Sequence, residues 1–163
     1  MGYLADALKH LSSDKEFIFV GTGVIVINEY NQILMGKRTD NNEWCIPGGS
    51  LELHESIEEC AVRELWEETK IKTNADKLKL NAVKFIDKPI NKNGRDIYVV
   101  SVSYVVREYD DIELSLDSRE FSKYGWFTEE EIQSIFDVIT PYTQAGLAEF
   151  FKQERNKGNG FKN

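Results

Sequence analysis

The sequence lacks the features that would mark a secreted, membrane-spanning or nucleic-acid-wrapping protein. It has two cysteines, Cys45 and Cys60, in 163 residues. Two thiols without a CxxC or a Cys/His cluster make neither a disulfide framework nor a zinc site, so a reduced, cytoplasmic setting is expected. Long apolar runs are also missing. The longest, Phe17 to Ile27, is interrupted by Gly21, Thr22 and Gly23, and the N-terminal segment carries Asp6, Lys9 and His10. Neither a membrane span nor a secretion signal is expected. Basic charge is scarce as well: 20 Lys plus Arg against 28 Asp plus Glu give a formal net charge of −8. Such a balance argues against a protein that holds nucleic acid through its phosphates. There are no internal repeats and no low-complexity linkers, and the length suits one domain.

What the chain does have is a regular alternation of strand and helix patterns. Leu4, Leu8 and Leu11 are spaced as one stripe of a short N-terminal helix. From Phe17 to Asn28 both alternating faces are apolar, Val24 and Val26 against Ile25 and Ile27, which suits a strand covered on both sides. The turn-like Glu29 to Gln32 then leads to Ile33-Leu34-Met35, read as the hairpin partner of that strand, ending at Lys37 and Arg38. Asn93-Gly94 favours a tight turn between two antiparallel strands, Leu78 to Asp87 and Ile97 to Arg107. Tyr124 to Phe127 reads as a short last strand. Thr128 caps a helix beginning near Glu129, and Pro141 opens a final helix. A sheet between helices is implied, an α/β fold.

The chemistry is concentrated in WCIPGGSLELHESIEECAVRELWEETKI, Trp44 to Ile71. A helix opens at Ser56. At roughly one hundred degrees per residue, Ile57, Cys60, Ala61 and Leu65 form its apolar stripe, and Glu64, Glu67 and Glu68 project from the same side. Burying three unpaired carboxylates would be costly, so a cleft or a cation must compensate them. An all-oxygen set at i, i+3 and i+4 suits Mg²⁺ or Mn²⁺ over zinc. Taken alone, an ExxEE helix is better explained by a solvated face in which Arg63 pairs with its acidic neighbours.

The complete spacing narrows this choice. Gly49, five residues, Glu55, seven residues, then Arg63-Glu64-Leu65-Trp66-Glu67-Glu68-Thr69-Lys70-Ile71 resembles the signature of the Nudix hydrolases, G-x5-E-x7-R-E-U-x-E-E-x-G-U. One specified position departs from it: Lys70 stands where the final glycine belongs. A glycine there would end the helix in a left-handed conformation, which costs a lysine roughly 1 kcal/mol. The resemblance implies an α/β/α sandwich with a mixed β-sheet over residues 17–156; the leucine stripe adds a packed helical segment at 1–16, and the glycine- and charge-rich end from Lys157 to Asn163, with almost nothing to bury, reads as a frayed tail.

By the same resemblance, the chain is expected to hydrolyse the diphosphate of a nucleoside diphosphate linked to another group, using Mg²⁺ or Mn²⁺. Glu67 and Glu68 are implied as metal ligands, and Glu64 as a third ligand or the base that orients water. The Gly48 carbonyl is a further ligand candidate. Arg63 and Glu55 are expected to fix the carboxylates and the loop, with Gly49 permitting close backbone approach. Glu120, chosen over Glu113 and Asp117, is the additional carboxylate before the last strand, and Arg38 the phosphate contact. The implied partner is a small nucleotide-type diphosphate, and a homodimer is compatible with the family.

Other residues read more plainly. Cys45 and Cys60 suit small core positions, His54 a solvent-facing one, and Val62 and Trp66 a place beneath a loop or another chain. Phe85, Tyr98, Tyr104, Trp126 and Tyr142 are base-stacking or core aromatics. Two alternatives stay open: an inactive nucleotide-binding or regulatory module of the same fold, and a diphosphate isomerase of related fold. No asparagine occurs between Thr128 and Phe150 to read oxidised guanine as some relatives do.

Overall fold

The computed structural model describes residues 3–10, 16–92, 94–110, 114–115 and 119–159. Its elements run α1 (Tyr3–His10), β1 (Phe17–Val26), β2 (Ile33–Arg38), β3 (Trp44–Cys45), α2 (Ile57–Thr69), β4 (Lys79–Lys92), β5 (Arg95–Val106), β6 (Phe121–Phe127), α3 (Glu129–Ser134) and α4 (Pro141–Asn159). Two three-stranded sheets result. One, ordered β1-β5-β4, is mixed: β1 lies parallel to β5, and β4 antiparallel to it. The other, β3-β2-β6, is antiparallel.

The doubly apolar pattern of β1 has a direct structural meaning. Val24 and Val26 turn to one side, where they meet Ala61 and Leu65 of α2. Ile25 and Ile27 turn to the other, where Leu147, Phe150 and Phe151 of α4 cover them. All four are essentially buried. Each such side chain contributes about 1.5–3 kcal/mol on burial, so the strand is held from both faces. This is an α/β/α sandwich with a mixed sheet.

The expected hairpin between β1 and β2 does not form. The two touch through a single bridge, Ile27 to Ile33, and then diverge into different sheets. The free edge of β1 bonds instead to the glycine loop: Thr22 N–H donates to Gly49 O (2.8 Å), Val24 N–H to Pro47 O (2.8 Å), and Leu51 N–H to Val20 O (3.0 Å). A short turn placed β1 and β2 near each other, but the donors and acceptors of residues 47–51 took the edge. Backbone pairing therefore fixes the loop that precedes α2.

Both capped helices start where their side chains dictate. Ser56 and Glu59 form a reciprocal capping box on α2, as do Thr128 and Glu131 on α3. At the other end of the chain α4 continues to Asn159, past the start of the expected frayed tail, and residues 160–163 lie outside the described residues. Leu11 of the N-terminal stripe and the candidate acids Glu113 and Asp117 also lie outside them.

Candidate active site

Arg63 is the hub of the site. Its Nε and Nη2 donate to the two carboxylate oxygens of Glu55 at 2.9 and 2.7 Å, a two-point ion pair between the helix and the loop before it. Nη2 also reaches Ser50 O (3.2 Å), and Nη1 donates to Glu64 Oε1 (2.7 Å) and lies 3.5 Å from Glu67 Oε2. Glu55 in turn accepts the Glu52 N–H at 2.7 Å. Hydrogen bonding from Arg63 chiefly, helped by that amide and opposed by burial, holds the Glu55 carboxyl down at about 2.

Glu64 and Glu68 face the glycine loop. A Cβ on Gly49 would overlap the Glu64 carboxylate, and one on Gly48 would collide with the Thr22 carbonyl. Only glycines allow β1, the loop and α2 to approach so closely. The Gly48 N–H donates to Glu68 Oε2 at 2.9 Å. Glu68 is 4% exposed, and burial pushes its carboxyl well above the usual range, opposed by the Gly48 amide and reinforced by Glu64 and Glu120. Burial raises Glu64 too, against the pull of Arg63. Glu67, by contrast, is half exposed, its side chain 52% accessible.

A cavity of about 910 Å³ lies over these groups, lined by Glu64, Glu68, Gly48, Glu120, Arg38 and Tyr142, among others. Glu120 reaches it because Thr39 N–H and Oγ1 donate to its carbonyl at 2.9 and 3.2 Å. Arg38 is present, but its fork is engaged by Asp40 at 2.9 and 2.8 Å. Burial is the largest influence on the Arg38 charge and works against it, but the Asp40 hydrogen bonds together with the nearby Tyr142, Cys45 and Asp40 charges hold the guanidinium protonated.

Among the described residues no three acidic, histidine or cysteine side chains stand close enough to enclose a cation in this conformation. Arg63 holds Glu64, Gly48 holds Glu68, and Glu67 is exposed, so the carboxylates are near one another without converging. Their chemistry nevertheless fits a hard divalent cation. Glu68 is a buried carboxylate beside two other acids, and the cation acting on it, Arg38, already pairs with Asp40.

Lys70 occupies the cap of α2 with φ 64° and ψ 8°, its N–H donating to Trp66 O. Its ammonium lies 4.2 Å from the centroid of the Trp66 ring. Trp66 is 44% exposed, so no loop of this chain covers it, and the Lys70 ammonium lies over its ring. His54 is exposed, and Cys45 and Cys60 are buried and free. Among the aromatics, Phe85 and Tyr98 stack on each other, and Tyr142 enters the cavity. Sequence reasoning missed Thr140, which lines the same cavity and carries no motif that would reveal it.

A strand-braced glycine loop, the Arg63 hub and the helical carboxylates thus stand together at the cavity. The NUDIX domain model matches residues 18–146, more than half of the chain, and the chain belongs to that family. It is 42% identical over 59 residues to a MutT-like protein of Streptomyces ambofaciens, a stretch covering 36% of this chain and 38% of that one. It is 55% identical over 49 residues to a putative 8-oxo-dGTP diphosphatase of Bacillus subtilis, covering 30% and 33%. The matches thus span only 38% and 33% of the lengths of these relatives. In fold it is similar to the crystal structure of a MutT protein from Methanosarcina mazei Go1, with a TM-score of 0.67 at 20% identity, covering 86% of this chain and 97% of that one.

Proposed function

We propose that the chain is a divalent-metal-dependent hydrolase that cleaves the diphosphate bond of a nucleoside diphosphate linked to another moiety. The observation that carries this reading is Glu68: a carboxylate buried next to Glu64 and Glu120, at the edge of a cavity large enough for a nucleotide derivative. The diphosphatase name of the Bacillus relative supports the same chemistry.

In this reading Glu64, Glu67, Glu68, Glu120 and the Gly48 carbonyl hold Mg²⁺ or Mn²⁺. The metal supplies neutralisation of the phosphate oxygens and acidifies the attacking water. Glu64, fixed by Arg63, either completes the ligand set or accepts the proton of that water. Arg38 exchanges its two-point contact with Asp40 for a phosphate of the substrate, whose geometry matches the same fork. Gly48 and Gly49 keep the loop free of side chains where the diphosphate must approach. Two free, buried thiols support a reducing, cytoplasmic setting, and no helix among the described residues is long and apolar enough to cross a membrane.

The test is release of phosphate, pyrophosphate and nucleoside monophosphate across a panel of nucleotide derivatives, with and without Mg²⁺ or Mn²⁺, beside Glu67→Gln. Metal-dependent turnover that disappears in the variant supports the hydrolase. Metal-assisted binding without turnover of any panel member points to a nucleotide-binding module instead.

A further inference from the structure

One face of the sheet β1-β5-β4 is covered only in part. The pairing register sets Ile18 beside Tyr98, Phe85 beside Val100, Val83 beside Val102 and Leu80 beside Tyr104, so these side chains share the face on which α2 lies. Val102 and Tyr104 are buried in a cluster with Ala61 and Leu65 of α2. Beyond that cluster the face stands open: Ile18 is 66% exposed, Leu80 61%, Val83 58% and Phe85 56%. Phe85 stacks on Tyr98 with ring centroids 6.0 Å apart, and Tyr98 and Val100 are half-buried. Of the eight large apolar side chains exposed among the described residues, four therefore gather on one strand face. The opposite face of β4 is not bare in this way, since Asn81 and Ala82 are buried there and Asn81 Nδ2 donates to Gly146 O of α4 at 2.9 Å.

The edge of the sheet is guarded where its face is not. β4 carries Lys79, Lys84 and Lys88, its Pro89 has no N–H to donate, and its register shifts between Leu80 and Ala82 and again between Ile86 and Ile90. Charge, proline and bulges of this kind oppose the pairing of a further strand. An incoming partner meets the apolar face instead.

Charge narrows the choice of partner. The acids nearest the patch are Glu16, whose Oε1 lies 3.5 Å from the Tyr98 hydroxyl, and Asp96; Glu16 chiefly, with burial and Asp96, pushes the Tyr98 phenol up. A nucleic acid or an anionic membrane finds no cation there to hold. Two copies of a chain with net charge −8 repel one another, and an uncharged face is where they can meet. The patch presents on the order of 500 Å² of apolar surface, the size at which a monomer's largest patch marks an interaction site. Two such faces bury about 1,000 Å² between them, the size that a specific interface must reach. We propose that this face joins two copies of the chain, sheet against sheet, about a twofold axis near the Phe85–Tyr98 pair.

The experiment is sedimentation of the full chain from about 1 to about 100 µM, the range expected of an interface near the lower size limit. Wild type should pass from monomer to dimer within it. Added salt should tighten the dimer, because it screens the repulsion between copies and leaves the apolar contact intact. Val83→Lys and Phe85→Lys should each weaken dimerisation by at least about 10-fold, as loss of a central apolar contact does. Both positions are more than half exposed, so the melting temperature of the dilute monomer should stay near that of wild type. Trp66→Ser, which alters an exposed aromatic on α2, should dimerise as wild type does. A chain that stays monomeric throughout, a dimer that survives both lysine variants, or a dimer that salt weakens overturns the proposal. Adsorption of monomer to phosphatidylcholine vesicles that both variants abolish assigns the face to a membrane and overturns it as well.

Discussion

Arg63 grips Glu55 with two hydrogen bonds of 2.9 and 2.7 Å across eight residues, tying the second turn of α2 to the loop that leads into it. The same guanidinium orients Glu64. The pair therefore links the stability of the loop to the placement of a carboxylate in the cleft.

The linkage makes stability depend on pH in a definite direction. Glu55 has an ordinary value of 4.5 and a folded value of about 2, so folding favours its ionised form. Its contribution is complete above pH 4.5 and is lost as pH falls towards 2. Glu55→Gln should cost about 2 kcal/mol at pH 7, since the guanidinium loses its two-point partner. In urea unfolding of the metal-free chain, the gap between wild type and variant should shrink steadily between pH 4.5 and 2. A gap independent of pH would mean that Glu55 acts through packing.

Glu68 should behave in the opposite sense. Its carboxyl is raised by burial and by Glu64 and Glu120, so the fold favours the protonated form. The chain without metal should lose this contribution as pH rises above 4.5. Glu68→Gln removes the buried charge while keeping an acceptor for the Gly48 N–H. It should raise the melting temperature in EDTA by about 2–4 °C, which corresponds to roughly 1 kcal/mol in a domain of this size. Adding Mg²⁺ should stabilise wild type more at pH 8 than at pH 6 and leave the variant unmoved. A variant that is less stable in EDTA would contradict the account of an uncompensated carboxylate.

How far the sequence foretold this site depends on the range of the interactions involved. Ser56 and Thr128 announced their helices because a cap is satisfied within three residues. The alternation of Val24 and Val26 with Ile25 and Ile27 announced two helical layers, because side-chain direction in a strand is local. The partner of β1 was not legible. Proximity in the chain suggested β2, but the parallel mate is β5, some eighty residues on, and the other edge belongs to the glycine loop.

Lys70 sets two effects against each other. Its φ of 64° strains a side chain that glycine would not have, by roughly 1 kcal/mol. Its ammonium over Trp66 at 4.2 Å returns about 0.5–1 kcal/mol at this exposed position. Lys70→Gly should therefore change stability by less than about 0.5 kcal/mol, whereas Lys70→Ala keeps the strain, loses the contact and should cost about 0.5–1 kcal/mol. Thermal unfolding of the two variants beside Trp66→Ala would separate the contributions. If Lys70→Ala costs as much in the Trp66→Ala background as in wild type, the ring contact is not stabilising.

Gly49 is the position where the smallest change should have the largest effect on the site. A methyl group there would fall on the Glu64 carboxylate, so Gly49→Ala must displace either the loop or Glu64. The loop is held to β1 by Thr22 N–H donating to Gly49 O. Glu64 is held by Arg63. The side chain can rotate more cheaply than a strand edge can lose its pairing, so Glu64 should move and Arg63 should lose one of its acidic partners. Turnover should fall by at least about 10-fold, as when metal-supporting groups are displaced, while stability changes by no more than about 1–3 kcal/mol. Turnover and urea unfolding measured on the same preparation would check this, and unimpaired turnover would show that the Gly49–Glu64 contact has no part in the chemistry.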